Sequence, residues 1–170
     1  MAAAIRKIWS FFVSEDVVVA GLTGNERSLI TKSWNKVMKH PTQNGISIFL
    51  RLFEIQPKHQ SGFPFRDVAT KDLPNDKKFQ AHVNTFMYSF TSIVSNLDNE
   101  EILLAILYKI GASHATRSVD RQTLIDVRQA FLDTFECMRR YELDAWIKLF
   151  DVLINEISHA IDEKLKEISE

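Results

Sequence analysis

The chain has 170 residues, with 21 basic against 22 acidic side chains and a formal net charge of −1. That length suits one core and is short for two domains, and the balanced charge gives no general attraction to nucleic acid or to an acidic surface. One cysteine, Cys137, excludes an internal disulfide framework, and twelve phenylalanines point to a core built around flat, bulky groups.

Residues 1–22 read as an extension. Ile5, Ile8, Trp9, Phe12 and Val13 recur at helical spacing, with Arg6 and Lys7 on the other side. Ser14, Glu15 and Asp16 end the apolar run too soon for a signal sequence or a membrane span. Ala2 excludes N-myristoylation. Residues 1–13 therefore read either as a segment that packs on its own domain or as a weak interfacial membrane contact.

Thr23, with Glu26 three residues later, is a capping-box pattern that starts a helix carrying Leu29, Ile30, Trp34, Val37 and Met38. His40-Pro41-Thr42 breaks it. A second helix is expected from about Gln43 to Ile55, with Phe49 and Phe53 inward and a Gly45 that suits a close helix crossing. Pro57 opens a turn, and the irregular stretch that follows carries Phe63 and Phe65, large rings that should cover something. A third helix, from about Asp76 to Leu97, turns Phe79, His82, Val83, Phe86 and Phe90 inward. The run from Glu100 to His114 projects Leu103, Leu107, Ile110 and His114 to one side. Asp120 or Ser118 caps a helix striped with Leu124, Val127, Phe131, Phe135 and Met138. After Tyr141-Glu142-Leu143 a last helix carries Trp146, Leu149, Phe150, Leu153, Ile157 and Ile161, and beyond Asp162 the tail turns polar. No stretch alternates with period two for long enough to form a strand, so the fold class is all-α.

No phosphate loop, GxGxxG, CxxC or HExxH pattern occurs. His40 and His59 lie near prolines in turns and are expected to be solvated, with His159 on an exposed side of the last helix. His82 and His114 differ, because each stands on or beside an apolar helical face. Each has an ordinary reading as a satisfied core residue. Together, with Phe49, Phe63, Phe65 and Phe86 available to line the space between them, they also suit a flat metal cofactor held by two imidazoles. Structural zinc usually takes four N/S ligands, and no further Cys or His lies near them in sequence. The residues alone leave core histidines and cofactor ligands both open.

The segment FLRLFEIQPKHQSGF resembles the second helix and following corner of globins, where a ring six residues past the proline stacks on haem. That places Pro57 and Phe63. FQAHVNTF is similar to the globin distal helix, with His82 over the iron and Phe86 one turn on. KIGASHATRSV resembles the proximal helix, with His114 as the iron ligand. Trp34 matches the usual first-helix tryptophan, DAWIKLFDVLINEI the final helix, and FPFRDVATKDL looks like arthropod and other invertebrate intracellular globins. The likeness covers Leu22 to Ile161. Phe86 is larger than the Val or Ile common at its place, and the N-terminal extension departs from ordinary vertebrate globins.

The resemblance implies a globin fold of about six long and one or two short helices around a haem b pocket. Residues 1–22 would be the extension, 23–165 the domain and 166–170 a polar tail. Phe49 would reach over the distal pocket, with Phe65 beside Phe63. Ile110 and Val119 would pack the proximal side, and Leu124 and Val127 would line the cavity. Arg66 would pair with a haem propionate, with Arg117 a candidate at the other edge. The Nδ1–H of His114 would need an acceptor, either a backbone carbonyl near Ile110 or the Ser113 hydroxyl. The first expectation is a cytoplasmic, non-enzymatic protein that reversibly binds dioxygen or another diatomic gas for storage or transport. The alternative is a bis-histidyl, six-coordinate globin with a redox, nitric oxide or peroxide role. A haem-free helical interaction domain is a third reading. The chain is expected to be a monomer or a homodimer, the latter if Phe131, Phe135 and Phe150 exceed what one core can bury.

Overall fold

The computed structural model describes residues 18–135 and 138–170. The apolar run of residues 1–13 and Cys137 lie outside the described residues. Six α-helices and two 3-10 helices follow one another among the described residues: α1 (Gly24–Val37), α2 (Pro41–Ile55), 3-10 turns at Pro57–Gly62 and Thr70–Asn75, α3 (Lys77–Val94), α4 (Glu100–His114), α5 (Arg121–Thr134) and α6 (Arg140–Ser169). Among the described residues the fold is all-α, with no named strand and no helix long and apolar enough to cross a membrane.

Local chemistry starts the helices. Thr23, Asp76, Asn99 and Asp120 each accept the backbone N–H three residues on, from Glu26, Phe79, Ile102 and Thr123. Losing such a cap typically costs about 1 kcal/mol. At Thr23 the box closes, because the Glu26 carboxylate accepts the Thr23 N–H at 2.9 Å. Helix α2 begins at Pro41, two residues before the sequence-based expectation. Proline is well placed there, since the first turn has no intrahelical partner for the N–H it lacks. Helix α6 begins at Arg140, also early, because the Glu142 carboxylate accepts the Arg139 N–H at 2.9 Å.

The Arg139 backbone bond, reinforced by Lys36, holds the buried Glu142 carboxyl below the ordinary glutamate range. A depressed folded value contributes stability at neutral pH that disappears as pH falls through it. Glu142→Gln is therefore expected to lower stability at pH 7 and to flatten the acid limb of the stability–pH curve, read by urea unfolding from pH 7 to pH 3.

The core grows from the inward stripes. Trp34 and Trp146 meet at 5.9 Å, and Phe131 packs between them and Phe150. Both indole N–H groups are satisfied, Trp34 by the Thr91 hydroxyl at 3.1 Å and Trp146 by Ser33 at 2.9 Å. Helix α2 lies along α5 and against α3, and α4 runs along α6. Two glycines permit the closest crossings. A Cβ on Gly45 would lie 2.6 Å from Val83 Cγ1, which seats α3 directly on α2. A Cβ on Gly111 would lie 2.6 Å from Ala160 Cβ and 2.7 Å from the Ile157 carbonyl oxygen. Neither of those atoms can swing away, so Gly111→Ala is expected to cost about 1–3 kcal/mol by overpacking, measured as a shift in the urea midpoint.

Two sequence-based expectations change, and a third, the exposed polar tail, is extended. Phe131, Phe135 and Phe150 are all buried within this one chain, which removes the reason for a dimer built on them. The polar tail is exposed as expected but stays helical to Ser169, carrying a Lys164–Glu167 pair at 2.6 Å. His59 is not solvated: its Nε2 meets the Asp126 carboxylate of α5 at 2.8 Å, and both side chains are mostly covered.

Candidate functional site

His82 sits on the second turn of α3 and points among three phenyl rings. Its ring centroid lies 5.1 Å from Phe49, 4.9 Å from Phe63 and 6.2 Å from Phe65. Phe63 and Phe65 stack on one another at 4.9 Å, and Phe86 stands 5.1 Å from Phe49, one turn beyond His82. The imidazole is thus placed by α3, which is locked on α2 at Gly45, and enclosed by the turn that follows α2.

His114 ends α4. Its Nδ1 lies 2.8 Å from the Ile110 carbonyl oxygen and 3.1 Å from the Ser113 hydroxyl, which itself donates to Ile110 O at 2.8 Å. A carbonyl oxygen only accepts, so Nδ1 carries a proton, and in the neutral ring Nε2 is the nitrogen left with the lone pair. The sequence proposed Ile110 or Ser113 as the partner of this ring; the structure supplies both.

The two histidines share one electrostatic neighbourhood. Burial first, then the charges of His114 and Arg117, push the His82 imidazole down to about 4. At neutral pH His82 is therefore uncharged and able to offer a nitrogen lone pair. The turn beside His82 also meets the one beyond His114, since a Cβ on Gly62 would lie 3.9 Å from the Arg117 carbonyl oxygen.

The remaining expected pocket residues fall on the elements around this pair. Phe63, Phe86, Ile110, Val119, Leu124 and Val127 are only half-buried, each packed against the core on one side, whereas Phe49 and Phe65 are buried. Val68 and Ile106, which sequence reasoning did not single out, have the same half-covered character. The His59–Asp126 pair brings α5, with Leu124 and Val127, up to the turn that carries Phe63. Arg66 is exposed and lies 3.8 Å from Asp67, and Arg117 is exposed beside His114.

This donor set suits haem better than a bare ion. Among the described residues no group of three or more His, Cys, Asp or Glu could hold a metal ion. A porphyrin brings four nitrogens of its own and asks the protein for one or two imidazoles, flat apolar walls and cations for its carboxylates. Two imidazoles with at least one lone pair directed by hydrogen bonding, half-covered apolar side chains and two exposed arginines meet that demand.

Known proteins bear on the same point. The family model for Globin matches residues 46–157. Neuroglobin of Dissostichus mawsoni is 27% identical over 144 residues, which are 81% of this chain and 91% of that protein. Hemoglobin-3 of Phacoides pectinatus is 28% identical over 109 residues, 63% of this chain and 71% of its own length. Among solved structures, the hexa-coordinate hemoglobin of Drosophila melanogaster superposes with a TM-score of 0.76 at 27% identity, covering 80% of this chain and 93% of that one. The hexacoordinated heme protein of an anhydrobiotic tardigrade shares the fold, with a TM-score of 0.77 at 19% identity. By the match over most of its helices and the haem-compatible pair of histidines, this chain belongs to the globin family of haem-binding proteins.

Proposed function

We propose that this globin, a single domain over residues 23–165, holds haem b between His114 and His82, with both imidazoles as iron ligands when no gas is present. We place it in redox or diatomic-gas chemistry rather than bulk oxygen storage. The observation that carries this reading is the packing of a neutral His82 ring among Phe49, Phe63 and Phe65, on a helix fixed against α2. Close packing against Phe49 and the stacked Phe63 and Phe65 rings leaves that imidazole little freedom. When bound, haem supplies an iron centre that exchanges one electron and takes a diatomic ligand.

The protein's own part is orientation and exclusion. Ile110 and Ser113 hold the His114 ring so that Nε2 serves as the permanent ligand. His82 would be the exchangeable ligand, and Phe86 with Phe49, 5.1 Å apart, would crowd the space a gas needs. Arg66 and Arg117, both exposed, would pair with the propionates. The hexa-coordinate description of the Drosophila protein supports the same reading. Electron paramagnetic resonance of the ferric protein tests it: a low-spin bis-imidazole signal is expected, and a high-spin axial signal refutes it.

A second reading, reversible dioxygen binding for storage or transport, is favoured by the neutrality of His82. A neutral imidazole off the iron still has one N–H to donate to a bound gas, worth about 1.5–3 kcal/mol if charge-assisted. Under either reading we propose a cytoplasmic protein, with at most weak membrane contact through residues 1–13.

A further inference from the structure

We propose that Gln60 is the positioning residue that sets how closely the Phe63–Phe65 stack confines the His82 imidazole, and hence how readily His82 leaves the iron; this rests on the six-coordinate reading above. Gln60 stands near the end of the 3-10 turn Pro57–Gly62. Its side-chain Nε2 donates to the carbonyls of Val68 at 2.7 Å, Phe65 at 3.2 Å and Arg66 at 3.4 Å. All three acceptors are carbonyl oxygens, so only the NH2 end of the amide fits there. Two protons serve three acceptors, with the shortest bond to Val68 and the weaker pair shared. The backbone carbonyl of the same residue accepts the Phe63 N–H at 3.1 Å. One residue therefore grips the segment from Phe63 to Val68 at its start, middle and end.

Apart from the Phe65 ring, packed on Phe53 and Phe79, and the half-buried Phe63 ring against Phe49 and Phe53, little else holds that segment. Its own backbone bonds are two single-turn links, Arg66 N–H to Phe63 O and Val68 N–H to Phe65 O, each 3.1 Å. Pro64, Arg66 and Asp67 are exposed, and Phe65 is its one buried anchor. The frame beneath Gln60 is firm, because the adjacent His59 is tied to Asp126 of α5 at 2.8 Å. Helix α3 is firm too, through its close crossing at Gly45. The adjustable wall of the His82 box is thus the half-buried Phe63 ring, stacked on the anchored Phe65, and its position depends on the Gln60 amide.

The test compares Gln60→Glu, nearly isosteric but bringing oxygens against three carbonyls, and Gln60→Ala with wild type. Ser61→Ala, which removes an exposed bond to Lys58 O on the same turn, is the control. In the reduced, haem-loaded protein the limiting rate of carbon monoxide binding at high gas concentration reports departure of His82. It is expected to rise about fivefold to tenfold in both Gln60 variants, the scale of a lost intramolecular hydrogen bond, and to stay unchanged in Ser61→Ala. In the haem-free protein, hydrogen exchange at the Phe63, Arg66 and Val68 amides should quicken by a similar factor in the Gln60 variants, while the α3 amides do not change. This second readout decides the matter if a variant fails to take up haem. Unchanged rate and exchange in both variants, with helicity intact, overturn the role of Gln60. A five-coordinate wild-type spectrum instead overturns the six-coordinate reading and the His82 consequence with it, and the exchange data then show separately whether Gln60 grips the segment.

Discussion

Replacing His82 with leucine is expected to abolish the sharp split visible bands of the reduced protein and to raise its apparent affinity for carbon monoxide about a hundredfold. The size follows from competition. If His82 occupies the sixth position 99% of the time, a gas finds only about one site in a hundred open, and its apparent affinity drops by that factor. Leucine fills similar volume among Phe49, Phe63 and Phe65 but offers no lone pair, so the competitor disappears without opening a large cavity. Carbon monoxide is the right probe because it gains less than dioxygen from a distal N–H. Flash photolysis across a range of gas concentrations gives both the affinity and the rate. An unchanged spectrum together with unchanged rebinding would show that His82 never reaches the iron.

His114→Ala is expected to be the more damaging substitution. The Nδ1–H of this ring is fixed by Ile110 O and the Ser113 hydroxyl, so its Nε2 arrives already oriented. Loss of an outer-shell partner at a metal ligand typically costs about tenfold to a hundredfold in affinity, and loss of the ligand itself should exceed that. Haem transfer to an excess of a haem-scavenging apoprotein should therefore run at least a hundred times faster than in wild type. Added imidazole should restore retention in part, because alanine leaves a ring-shaped space at the end of α4. Retention equal to wild type would mean that His82 alone carries the iron and that the two roles are reversed.

The sequence made His114 and His82 legible through local signals. Each stands on a long apolar stripe, and α4 runs from Glu100 to His114, the bounds its pattern indicated. Caps at Thr23 and Asp120 were readable for the same reason, since donor and acceptor lie three residues apart. Features that depend on distant partners were not. His59 looks like a turn residue beside Pro57, and its carboxylate partner lies 67 residues away. Gly111 reads as an ordinary helical residue until α6 crosses it within van der Waals reach of Ala160. Gln60 carries no periodic signature at all, because its three acceptors are backbone carbonyls of an irregular segment. The excess of phenylalanine was visible, but its distribution was not. Phe131, Phe135 and Phe150 fill the core around Trp146, while Phe49, Phe63 and Phe65 surround His82.

The visible spectrum of the reduced, gas-free protein reports where the His82 imidazole rests when nothing else competes for the iron. Two sharp, split bands in the green are predicted, as for iron held by both His114 and His82. A single broad band would mean five-coordinate iron and would contradict the account.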